Sequence, residues 1–128
     1  MSALVSEWIE KAEGDYTSAL REYRARKRPN FDAAGFHAQQ CIEKYLKALL
    51  QKHKIRFAKT HNLLALKEMC APLTPELEFY NEMLAYLTHF AIAFRYPGET
   101  ATRSQAKHAV KAMKEIRSVL RVALTLEN

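Results

Sequence analysis

A chain of 128 residues fits one domain, taken here as residues 1–128, and 48% apolar content is too high for a disordered chain. Three glycines and four prolines are too few for a loop-rich or all-β fold with many tight turns, while abundant Leu, Ala, Lys, Glu and Arg point to helix. A net charge of +6 fits a polyanionic partner, and equally a protein that simply carries many lysines.

The first predicted helix covers residues 3–26. Its inward stripe is Val5, Trp8, Ile9, Ala12, Tyr16, Ala19, Leu20 and Tyr23. Asp15 falls inside that stripe, so its carboxylate must find a partner or stay at a rim. Arg24, Arg26, Lys27 and Arg28 follow, before Pro29. Cations there suit a helix C-terminus, and they also suit a nucleic-acid contact.

Asp32 is the expected cap of the second helix, which continues to about Lys54. Within it, Ile42, Tyr45, Leu46, Leu49 and Leu50 form an apolar stripe, extended backwards by Ala34 and Ala38. The opposite side carries His37, Gln40, Glu43, Lys44 and Lys47, with Phe36 among them. Thr60 is the expected cap of a short helix over 61–70, on Leu63, Leu64, Leu66 and Met69. Thr74 and Pro75 begin a long fourth helix running to about Phe94 on Leu77, Tyr80, Leu84, Leu87, Ala91 and Phe94. Met83, Phe90 and Ile92 add apolar residues off that stripe, which suits a central helix or a subunit interface. Thr102 and Gln105 make a capping box for the last helix, to about Leu126 on Ala106, Ala109, Met113, Ile116, Leu120 and Leu124. The predicted fold is an all-α, up-and-down bundle of four long helices and one short one.

The two cysteines, Cys41 and Cys70, have no metal or redox spacing. No apolar run approaches the ~20 residues of a membrane span, and the start lacks a signal-peptide pattern. The expectation is a reduced, cytoplasmic protein without membrane contact, metal or cofactor.

Three stretches can carry chemistry. Arg95, in the turn FRYPGE, falls on the buried face of the fourth helix at its end. Its fork can pair with Asp15, hold a phosphate, or only close the helix. Thr60 and His61 open the short helix, where free N–H groups attract anions and a histidine titrates near neutrality. In RSQAKH, Arg103 and His108 are residue types that cleave RNA without metal: the histidine moves a proton at the 2′-hydroxyl and the arginine stabilises the phosphate. Five residues apart on a helix, their side chains diverge by about 140°, which also fits a solvated face.

Four blocks together resemble the HEPN domain family, a small helical domain with nucleotide- or RNA-related roles. They are Trp8, Ala12, Asp15-Tyr16 and Ala19; Phe36-His37-Ala38-Gln39-Gln40 with Glu43-Lys44 and Lys47-Ala48-Leu49-Leu50; Lys59-Thr60-His61-Asn62-Leu63; and Arg95-Tyr96-Pro97-Gly98. The resemblance implies a homodimer, and either a toxin-like RNase or a partner of a minimal nucleotidyltransferase in a toxin–antitoxin-type system. The family's RNase signature is Arg, four to six residues, His, and Arg103-Ser104 with His108 matches it. The leading expectation is a module binding a nucleotide or RNA phosphate through Gln40, Lys44, Lys47, His61, Arg95 and Tyr96. The alternatives are a metal-independent endoribonuclease using Arg103 and His108, and a non-catalytic interaction subunit.

Overall fold

The computed structural model describes residues 1–94 and 96–126. All regular structure in these residues is helical, with no strand. The elements are α1 (Ala3–Arg24), α2 (Phe31–Lys52), α3 (Leu63–Cys70), a 3₁₀ helix (Pro75–Tyr80), α4 (Asn81–His89) and α5 (Arg103–Ala123). Three helices are long. The fourth predicted long helix is instead split into the 3₁₀ segment and the nine-residue α4. Thr74 stands at its N-cap with Pro75 behind it as expected, but its hydroxyl donates to Glu76 Oε2 at 2.8 Å and makes no capping bond to the helix. The chain past His89 winds on as tight turns, with Phe90 N–H bonded to Leu87 O and Ala91 N–H to Thr88 O.

Two predicted caps also shift. Asn30, not Asp32, caps α2 by accepting from Ala33 N–H. Asp32 is then free to accept from Ala101 N–H at 2.6 Å, tying the lead into α5 to the start of α2. Asn62, not Thr60, caps α3, and Thr60 Oγ1 accepts from Asn62 N–H. The Thr102–Gln105 capping box forms in both directions.

Helix α2 is the central rod. Ile42, Tyr45, Leu46, Leu49, Leu50, Ala34 and Ala38 are all fully buried. Burying each large apolar side chain contributes about 1.5–3 kcal/mol. Contacts between Asp15 and His37, Glu13 and Tyr45, and Trp8 and Lys47 run in opposite directions along the chain, so α1 and α2 are an antiparallel hairpin. Phe31 meets Arg103 near the start of α2, while Tyr45 meets Arg121 farther along, so α5 runs parallel to α2. The remaining flank is shared by α3, the 3₁₀ helix and α4. Phe90 reaches from there onto α2 at Gly35, where a Cβ would stand 2.0 Å from the ring.

Candidate functional site

The polar side of α2 does not face open water. It lies along α1 and the 53–62 connector as a ladder of hydrogen bonds. Buried Asp15 is gripped twice: His37 Nδ1 lies 2.8 Å from Oδ1 and Lys44 Nζ donates to Oδ2 at 2.5 Å. Farther along, Glu43 is 4% exposed and collects three donors. They are Lys47 Nζ at 3.1 Å, His61 Nδ1 at 2.8 Å and Gln39 Nε2 at 3.1 Å. Gln39 Nε2 also reaches His61 O, and Gln40 Nε2 donates to Gln39 Oε1. Lys47 Nζ lies over the rings of Trp8 and Phe57. Each lysine here already has a carboxylate, so an incoming phosphate must compete with a buried anion for it.

A second network joins α1, α2 and α5, and sequence reasoning missed it. Arg117 holds Glu13 with both Nε and Nη2, at 2.8 and 2.6 Å. Tyr45 donates its hydroxyl to Glu13 Oε2, and Arg121 Nη1 donates to the same hydroxyl at 2.9 Å. The Arg117 guanidinium also covers the Tyr16 ring at 4.1 Å. Burial pushes the Glu13 carboxyl up, but the bonds from Arg117 and Tyr45 outweigh it and hold the group below its ordinary value. Burial, then the bond to Glu13, pushes the Tyr45 hydroxyl up. Glu13 and Arg117 each sit one position off an apolar stripe, and no short-range pattern links residues so far apart in the chain.

The outer face of α5 is different. Arg103, Lys107, His108, Lys111 and Lys114 are all exposed. Among the described residues, Lys107, Lys111 and Lys114 have no ion-pair partner. Spacings of three and four residues place Lys107, Lys111 and Lys114 on one stripe. Tyr23 comes in from the end of α1 and, with Lys107, His108, Val110, Lys111, Lys114 and Glu115, lines a hollow of about 630 Å³. The cations of the 24–28 turn follow Tyr23 directly, and Arg24, Arg26, Lys27 and Arg28 are exposed. Tyr23 packs on Phe31, and the Arg103 guanidinium lies over Phe31 at 5.0 Å. A smaller hollow of about 240 Å³ opens between α4 and α5, and His108 and Lys111 line it too.

Gln40, Lys44, Lys47 and His61 are thus brought together in the α1–α2 seam. Tyr96 is 68% exposed and outside it, and Arg95 lies outside the described residues. Arg103 and His108 share α5 but turn to different neighbours, Phe31 on α2 and Tyr86 on α4. Among the described residues, no group of three or more His, Cys, Asp or Glu could hold a metal ion. Burial pushes the Cys41 thiol well up and the Cys70 thiol up to about 12, so neither is a nucleophile at neutral pH. No described helix is long and apolar enough to cross a membrane.

A HEPN domain matches the chain over residues 5–123. The chain belongs to the HEPN family. The match covers α1 from Val5, all of α2 and α5 to its last residue, so both seams and the basic face lie within the HEPN domain. No curated protein and no solved structure matches the chain. HEPN membership brings RNase or nucleotide-related roles into view without choosing between them.

Proposed function

We propose that this HEPN protein binds single-stranded RNA through its phosphates along the outer face of α5. The observation that carries the reading is the split between two kinds of cation. Lys44, Lys47, Lys67 and Arg117 are held by carboxylates. Lys107, Lys111 and Lys114 are exposed, unpaired among the described residues, and aligned beside Tyr23 and the 24–28 cations. Unpaired cations release the counterions of a polyanion at no cost in broken ion pairs. The ring of Tyr23, which lines the hollow beside them, gives a base a surface to stack on.

Dimerisation and a nucleotidyltransferase partner belong to the same proposal. Their support is exposed apolar surface: Phe79 is 88% exposed, Ile92 67% and Val122 63%, the last lining a hollow with Leu73, Val119 and Ala123.

Fluorescence anisotropy with a labelled oligouridine tests the phosphate reading. Wild type binds, and Lys107→Glu/Lys114→Glu loses at least about tenfold in affinity, since each lost phosphate contact is multiplied by a repulsion. Equal affinity in both proteins would return the site to Gln40, Lys44, Lys47 and His61 on α2.

A second reading is metal-independent RNA cleavage. It is favoured by the exposure of both Arg103 and His108 at the start of α5. In one chain they turn apart, so the working pair would be completed by a second copy, with His108 moving the proton and Arg103 meeting the phosphate. Cleavage should then survive a chelator and disappear in His108→Ala. Undiminished cleavage in that variant sinks the assignment.

A further inference from the structure

We infer that the hollow between α4 and α5 is a nucleobase pocket, and that Glu82 makes it select guanine. The inference rests on the α5 reading and deepens it. The hollow is lined by Glu82, Met83 and Tyr86 from α4 and by His108, Lys111 and Ala112 from α5. At about 240 Å³ it falls below the ~300–1,000 Å³ of pockets that hold drug-sized ligands, which leaves room for one planar ring system. Its wall is already in place. Tyr86 donates its hydroxyl to Gln105 O at 3.1 Å, and its ring stands edge-on to Phe90 at 5.6 Å, so the ring does not have to be ordered on binding. The His108 ring stands edge-on to it at 6.3 Å, so the two rings form a corner rather than a parallel slot, and a base stacks on one ring face beside Met83 and Ala112.

His108 and Lys111 also line the larger hollow of the basic stripe, so the pocket opens onto the track that holds the phosphates. A single strand can splay one base into it while its backbone stays on the lysines. The choice of base follows from the one carboxylate in the lining. A carboxylate at neutral pH only accepts, with two oxygens side by side. Guanine alone offers two adjacent donors, N1–H and the 2-amino group. Uracil brings one N–H between two carbonyl oxygens, which the carboxylate repels. Adenine and cytosine each bring one amino group beside a ring acceptor.

The test uses oligouridine seven-mers carrying one central guanosine, inosine or adenosine, titrated by anisotropy. Inosine keeps N1–H and lacks the 2-amino group. Wild type should bind the guanosine oligomer at least about fivefold more tightly than the other two. Glu82→Gln, an isosteric change at an exposed position, should bring the three within about twofold of each other while keeping their common affinity. Tyr86→Phe, which keeps the ring, should retain the preference. Equal binding of all three by wild type would overturn the pocket and leave the α5 reading standing. A preference undiminished in Glu82→Gln would overturn the role of Glu82. Binding of none would overturn both readings.

Discussion

Glu13 sits where three helices meet, and its carboxylate gathers Arg117, Tyr45 and, at 3.9 Å, Arg121. Replacing it by Gln leaves a guanidinium and a hydroxyl short of an acceptor. The site is about a third exposed, so water softens the loss, and Glu13→Gln should cost about 1–2 kcal/mol at pH 7 in chemical denaturation. The carboxyl titrates below its ordinary value of 4.5 in the folded chain. Its stabilisation is therefore complete above pH 4.5 and fades as pH falls through the lower folded-state value. Wild type should lose stability over that acid range more steeply than Glu13→Gln; parallel curves would refute the assignment. Asp15 shows what a single residue reveals in sequence. Its place among apolar neighbours called for a partner or a rim, with Arg95 as one candidate; the packing of α1 on α2 supplies His37 and Lys44. Glu13 gave no such sign, because an acid beside a stripe is ordinary on a wet helix.

At the scale of elements, α2 and α5 both end in the same way without glycine. Past α2, Lys54 takes φ +57°, its N–H bonds to Gln51 O, and Ile55 N–H returns to Leu50 O. Past α5, Thr125 takes φ +60°, with its N–H on Val122 O and Leu126 N–H on Arg121 O. Helix ends expected at Lys54 and Leu126 therefore fall at Lys52 and Ala123. Apolar period alone runs on through such caps, since Ile55 and Leu126 still pack against the core. The split of the fourth helix was hidden for a related reason: its apolar residues keep helical spacing across the 3₁₀ segment. Gly35 carries the other element-scale lesson. Phe90 fills the space over it, where a side chain would stand, so the contact is set by the ring and not by the apolar period of α2. Gly35→Ala should destabilise by about 1–3 kcal/mol despite the better helix propensity of alanine, because the ring must move. Phe90→Leu in the same chain should recover part of that loss in thermal melts. A neutral Gly35→Ala would show that the ring relaxes freely.

For the molecule as a whole, charge is sorted by depth. Acids in the buried and half-buried seams neutralise the cations beside them, and the surplus behind the net +6 includes the exposed cations of the 24–28 turn and α5. The anisotropy titrations should accordingly weaken steeply with salt, by about 0.7 logarithmic units per tenfold rise for each phosphate met. Composition, helical period and the capping box carried the fold class, because those signals are local. The division between paired and unpaired cations was readable only in part. Glu43 stands four residues before Lys47 on the same helix and holds it, but Lys44 finds Asp15 only through the packing of α1 on α2.

The double grip on Asp15 has a mechanical meaning. His37 and Lys44 stand seven residues apart, about 10 Å along the helix axis. They meet one point on α1 from above and below. A single strut would leave α1 free to pivot or to slide by a turn. Two struts converging from different heights remove both freedoms, so the α1–α2 hairpin is braced like a truss, and α5 rests on a footing that does not shear.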